Sequence, residues 1–264
     1  MQTVSSVRRI AAVCRRDLEE IRKSPASTVM LVAFAALSTG VAVGTKLLLD
    51  RVLRMAAGAD ARTVDEIVRN VVGGLLLENS FYGITMLPFS LIVWVFAGAL
   101  VMREKLTGNL ETLLATPLSL SEIWLGKTLA LSAAAAATGW LSGILAVIAA
   151  HCIVAATLSR FVFLLTVPAI VAGLLLNPLF FSGMCALIMV IALAKDADAS
   201  LLPSFLIGMG AMIGLPVTVG TGAVRIGSWV FCLYQAAASV LLWGAVLTVL
   251  LTTKKESVVL SARK

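Results

Sequence analysis

The sequence predicts an all-α polytopic membrane protein, on three observations. Of its 264 residues, 60% are hydrophobic and only 13% charged, against about 45–50% apolar and roughly 25% charged in soluble domains. Several apolar runs exceed the roughly 20 residues that a helix needs to cross a hydrocarbon core. These runs are continuous rather than alternating, and a backbone in lipid must bond itself as a helix or a closed barrel, so helices are expected.

The chain opens with a helix. Between Val7 and Ile21 the apolar residues Val7, Ile10, Ala11, Cys14, Leu18 and Ile21 share one face, and Arg8, Arg9, Arg15, Arg16, Glu19, Arg22 and Lys23 take the rest. Residues 1–25 are therefore expected to form a basic amphipathic helix in the membrane interface; a solvated helix preceding a span is the alternative. Ser24-Pro25 supplies a cap and a first-turn proline, so a new helix should start there. The long apolar run after the early arginines reads as a retained span rather than an export signal.

Six transmembrane helices are expected, over Thr28–Leu49, Phe81–Met102, Leu125–Ala155, Phe161–Ala194, Leu201–Thr221 and Ile226–Leu251. Residues 1–264 then form a single membrane domain, with a six-span body over 28–251 and a basic tail over 252–264. Of the 21 Lys and Arg residues, 14 fall in the amino-terminal segment, the loop after span two, the turn at Lys195 and the tail. That excess puts both termini in the cytoplasm. The net charge of +7 reads as topology and contact with anionic membrane lipids, not as a nucleic-acid surface.

On the opposite side the one sizeable segment runs from about Asp50 to Ser80. Thr63 to Glu66 has capping-box spacing, and Val64, Ile67, Val68, Val71, Val72 and Leu75 follow at helical intervals, so a short amphipathic helix should lead into span two. Pro88, Pro168, Pro178, Pro203 and Pro216 fall inside expected spans, where neighbouring helices can re-satisfy the backbone. Gly40/Gly44, Gly139/Gly143 and Gly210/Gly214 have the spacing of close helix approach.

Chemistry on this chain is sparse. No HExxH, GxSxG or His/Cys/carboxylate cluster occurs, so no catalytic residue, metal site or cofactor is assigned. The expected spans hold no carboxylate near mid-membrane, which argues against an ion-coupled carrier. His151 and Arg160 fall at span ends, and His151 is expected to be an interfacial polar residue rather than a proton relay. Cys14, Cys152, Cys185 and Cys232 are scattered, and read as small packing residues rather than a disulfide framework. Ser121 to Thr128 superficially has the shape of a P-loop, but position 121 is serine, no strand precedes it, and a span follows directly. Any nucleotide chemistry must therefore lie on another chain.

The remaining signal is the polar segment between spans two and three. Gly108 to Ala115 should form a short helix with Leu110, Leu113 and Leu114 on one face, ended by Pro117, which disfavours helix at Thr116. Ser119 to Glu122 then has capping-box spacing, so a new helix should start there and run through Trp124 and Lys127 into span three. The exposed leucines need cover, either from lipid headgroups or from a protein partner.

Arg103-Glu104, Gly108, Leu110-Glu111, Leu113-Leu114-Ala115-Thr116-Pro117-Leu118-Ser119, Glu122-Ile123 and Gly126-Lys127 closely resemble the cytoplasmic loop of type 2 ABC transporter permeases. The amino-terminal RRDLEEIRKSPAS followed by a span is also similar to the start of those permeases. The strong part of the likeness covers about 25 residues, and Asn109 departs from the threonine often found after that glycine. The resemblance implies a membrane subunit of an ATP-binding-cassette exporter in the plasma membrane, in a prokaryote the inner membrane. It implies a second permease chain, identical or related, and a cytoplasmic ABC ATPase subunit that holds the ATP and Mg. The segment 103–124 would carry the coupling helix, with Glu104, Leu110, Glu111, Leu113, Leu114, Thr116 and Pro117 against the ATPase. Helix 7–21 would be the connecting helix beside the same ATPase. Spans two and five would line the path, where Phe89, Val93, Phe96 and Leu100 form a stripe that is either an apolar route or ordinary packing. A non-transporting scaffold that recruits a partner through the 103–124 loop is the alternative reading.

Overall fold

The computed structural model describes residues 6–92, 116, 118–194, 214 and 224–252, with side chains left out at 26, 89, 90, 92 and 192–194. Every regular element among them is helical. Helix α1 is Ser6–Lys23 and α2 is Pro25–Met55, and the chain breaks between them at Ser24, as the Ser-Pro pair predicts. The Ser27 hydroxyl donates to the Ser24 carbonyl at 2.7 Å and closes the first turn of α2. A turn with Gly58 at φ +94, a conformation that favours glycine, reverses the chain after α2.

Helix α3 is Ala61–Val68, and it continues through a π-helical segment, Arg69–Glu78, into α4, Asn79–Ile92. Its start differs from the expected box at Thr63. Asp60 is the N-cap, and the Thr63 hydroxyl donates to the Asp60 carboxylate instead of capping a later turn. That bond holds the Asp60 carboxyl below its ordinary range. The expected buried row also shifts. Val68 and Val72 are buried at an α-helical step, but the next buried side chain is Leu77, and Leu75 is 69% exposed. A π turn makes its repeat five residues rather than four, which moves Leu77 and Glu78 onto the inner face.

Helix α5, Leu120–Leu158, is 39 residues long and contains the expected span 125–155. At about 1.5 Å per residue it measures roughly 58 Å, about twice the ~30 Å of a hydrocarbon core. It ends at Ser159, which has left-handed backbone. Residues 161–166, expected to be helical, are not helical, and the next helix, α6, is Val167–Val171. Pro168 is the reason. It sits in the first turn of α6, where a missing N–H costs nothing, and not in a helix interior. A second π segment, Ala172–Leu176, leads into α7, Asn177–Ala194, and Pro178 just after it cannot donate the usual bond back to Leu174. Helix α8 is Trp229–Thr252. It begins after the expected Ile226, because the Ser228 hydroxyl accepts from Phe231 N–H at 3.2 Å and caps it.

Among the described residues, four helices are long and apolar enough to cross a bilayer: Ser27–Met55, Leu120–Leu158, Val167–Ile191 and Trp229–Thr252. Of the other two expected spans, 81–102 is described only to Ile92, and 201–221 lies outside the described residues except for Gly214. Helix α5 is the axis, with α1, α2, α4 and α7 all packed on it. A Cβ at Gly139 would lie 2.9 Å from the Thr85 carbonyl oxygen, and one at Gly143 would lie 3.1 Å from the Phe81 ring, so this glycine pair is a packing seam. Among the described residues Gly40/Gly44 shows no such seam: none lies within 4 Å of a Cβ at Gly40, and Leu76 alone stands at 3.7 Å from one at Gly44. Val29, Val32, Leu145, Leu233 and Leu241 point outward, the pattern expected of helices facing hydrocarbon.

Gly139→Leu should lower unfolding stability in detergent by about 1–3 kcal/mol, the usual range for overpacking against backbone. Gly40→Leu, measured beside it, should leave stability unchanged.

Candidate functional site

The foot of α5 is built from the turn that precedes it. The Ser119 hydroxyl accepts from Glu122 N–H at 3.2 Å, and Glu122 Oε2 accepts from Ser119 N–H at 2.9 Å, the reciprocal box that the spacing predicts. The other carboxylate oxygen leaves the helix. Glu122 Oε1 accepts from the Ser6 hydroxyl and pairs with the Arg9 guanidinium at 3.0 Å. One turn further along, a Cβ at Gly126 would be 2.8 Å from Val13 Cβ and 3.1 Å from the Ile10 carbonyl, so glycine is what lets α1 sit this close. Lys127 Nζ then meets Asp17 Oδ2 at 3.1 Å, with the two side chains 1% and 2% exposed.

Helix α1 therefore has three faces rather than two. At about 100° per residue, Val13, Asp17 and Ile21 form the stripe buried against α5. Val7, Ala11, Cys14 and Leu18 lie on one flank, with Val7 74% exposed. Arg8, Arg15, Arg16, Arg22 and Lys23 occupy the other side. The expected single apolar face thus overlaps the docked stripe only at its edge, through Ile10 and Ile21, because ion pairing rather than apolarity selects the contact. Burial pushes the Cys14 thiol up, and the nearby Asp17 carboxylate adds to the effect.

Two further polar arrangements hold the rest of the bundle. Asn177, fully buried, donates to Thr85 Oγ1 at 2.9 Å and to the Tyr82 carbonyl at 3.2 Å, and its Oδ1 accepts from Gln235 Nε2 at 2.8 Å. This uncharged node ties α4, α7 and α8 together. Gln235 Oε1 is buried with no hydrogen-bond partner among the described residues. At the far end from α1, the non-helical segment 160–166 is pinned at Arg160, Leu164 and Thr166. Arg160 pairs with Asp65 at 2.6 Å and donates to the Ala61 carbonyl at 3.0 Å. Leu164 N–H donates to His151 Nε2 at 3.2 Å, and Thr166 N–H donates to Glu78 Oε1 at 2.9 Å. His151 Nδ1 bonds the Val147 carbonyl at 2.8 Å, so both ring nitrogens are engaged in holding backbone, and Phe161 stacks on the ring at 5.6 Å.

The expected partner-facing residues Glu104, Leu110, Glu111, Leu113, Leu114 and Pro117 lie outside the described residues, as do Val93, Phe96 and Leu100 of the expected path. Thr116 forms an exposed bend just ahead of the capping box, and Phe89 falls on α4, with only its backbone described. The P-loop look-alike, Ser121 to Thr128, is helical throughout, and its lysine is buried against Asp17, so it offers no phosphate cradle. Among the described residues no group of three or more His, Cys, Asp or Glu is placed to hold a metal ion.

Sequence reasoning missed Asp17, Asn177 and Gln235, and set Glu78 in an outer segment. Asp17 was traceable from its spacing, four residues from both Val13 and Ile21. No family model, curated protein or solved structure matches the chain.

Asn177→Ala and Gln235→Ala should each destabilise the bundle, and the double variant should lose less than their sum. A double-mutant cycle by detergent unfolding should give a coupling of about 0.6 kcal/mol, the average for interhelical bonds in a membrane protein, and at most about 1.7; zero coupling would mean that the node does not join α7 to α8.

Proposed function

We propose that the chain is the membrane permease subunit of an ATP-driven ABC exporter, which couples ATP hydrolysis on a separate cytoplasmic subunit to substrate movement by alternating access. The observation that carries this reading is the segment from Arg103 to Lys127, whose residues resemble the coupling loop of type 2 ABC permeases. Its carboxyl-terminal part gives support from geometry: the capped restart at Ser119 and the close seat at Gly126 make the resembling residues the base of a long rigid helix. The four apolar helices and the amphipathic α1 are in keeping with a multi-pass protein of the plasma membrane, in a prokaryote the inner membrane.

On this reading both termini and the foot of α5 face the cytoplasm. ATP and Mg belong to the ATPase, and a second permease chain and surrounding lipid complete the assembly. Leu110, Leu113 and Leu114 supply the apolar anchor in the ATPase cleft, Glu104 and Glu111 meet its basic residues, and the proline-ended helix transmits the push. Thr116 and Pro117 close that contact. Phe89, Val93, Phe96 and Leu100 line an apolar path.

Affinity purification of the tagged chain from its native membrane should bring down an ATPase with a Walker A sequence. Leu113→Asp/Leu114→Asp should reduce its recovery at least tenfold while the unfolding temperature of the bundle stays unchanged. Full recovery and transport in that variant would contradict the proposal, as would a wild-type chain that captures a partner without any ATPase.

A further inference from the structure

One carboxylate at the foot of α5 serves two elements at once. Glu122 Oε2 closes the turn at Ser119, three residues beyond Thr116, and Glu122 Oε1 holds Ser6 and Arg9 of α1. The Asp17–Lys127 pair, farther along the same contact, fixes the other end of α1. We propose that these two ion pairs are a register clamp: they set where α1 sits along α5 and, through Glu122, the geometry of the turn that leads into the coupling segment. Asp17 and Lys127 are then positioning residues for coupling to the ATPase, a role that rests on the function proposed above.

The buried row is Val13, Asp17 and Ile21 at four-residue steps, so with an apolar residue at position 17 apolar burial alone would accept a slide of one helical turn. The charges would not. Moving α1 by one turn would set Val13 or Ile21 beside Lys127 and take the buried Asp17 carboxylate away from its ammonium, a separation that proteins avoid. It would also bring Arg9 or Asp17 over Gly126 in place of Val13, whose Cβ lies only 2.8 Å from where a Cβ at position 126 would stand. The pair is not arranged for greatest stability, since Asp17 Oδ1 is buried without a hydrogen-bond partner among the described residues. A buried charge pair kept at such cost is well suited to specifying register.

The test uses the full-length chain in nanodiscs with its co-purified ATPase, and compares wild type, Asp17→Lys, Lys127→Asp, the charge swap D17K/K127D and the apolar pair D17L/K127M. Three quantities are read: the amide exchange of residues 8–22, the unfolding temperature, and ATP hydrolysis by the complex. Each single reversal should speed α1 exchange at least tenfold and cut hydrolysis at least fivefold, and the swap should restore both to within about twofold. The apolar pair should keep the wild-type unfolding temperature and still fail to restore hydrolysis, which a merely structural role would not produce. Wild-type exchange in the single reversals would overturn the clamp. Full hydrolysis in D17L/K127M would overturn the register role, and it decides the matter even if the swap does not fold. A wild-type chain without any ATPase would overturn the function proposed above and the positioning role with it, while the exchange measurement would still decide whether the ion pairs hold α1.

Discussion

Close approach to α5 is the constraint on which the rest of the bundle depends. Where α1 and α4 cross it, α5 presents glycines: Gly126 under α1, Gly139 and Gly143 under α4. Between helices in lipid there is little hydrophobic driving force, so association relies on close contact and on polar bonds across the seam. The polar bonds sit beside these glycines. Lys127 follows Gly126, and Thr85, whose backbone meets Gly139, also accepts the hydrogen bond from Asn177. Small residues bring the backbones together, and a polar group beside each seam makes the approach specific.

The far end of the molecule obeys a related rule. Non-helical backbone within an apolar bundle needs a partner for its N–H groups. The segment 160–166 finds such partners in His151 and Glu78, side chains that a functional reading would otherwise treat as candidates for proton handling. Their geometry gives them a structural occupation. Charge in this protein is thus used at two ends, to seat α1 at one and to hold the non-helical segment 160–166 at the other, with the uncharged node at Asn177 on α7 joining α4 and α8.

Much of this was legible in the sequence, for identifiable reasons. Long apolar runs marked α2, α5 and α8 because length and composition are sufficient evidence of a helix that can cross lipid. The break at Ser24-Pro25 and the box at Ser119–Glu122 were legible because capping is local chemistry. What escaped depended on phase. Two π segments each advance the buried face by an extra residue, which exposes Leu75, buries Leu77, and turns Asn177 rather than Leu176 fully inward. A pattern search at 3.6 residues per turn cannot see that step. The docked face of α1 escaped for another reason: a search for apolar residues passes over Asp17, whose burial is explained only by a lysine 110 positions away. Of the candidate coupling residues, only Thr116 falls among the described residues.

The account turns on α5 crossing the membrane with its clamped foot on the cytoplasmic side. Ser121 and Arg62 are exposed at opposite ends of the bundle. The direct measurement replaces each with cysteine, singly, in a chain whose Cys14 and Cys152 are serine, and applies a membrane-impermeant maleimide to intact cells and to inside-out vesicles. The account predicts labelling of Arg62→Cys in cells alone and of Ser121→Cys in inside-out vesicles alone. Labelling of both from the same side would contradict it.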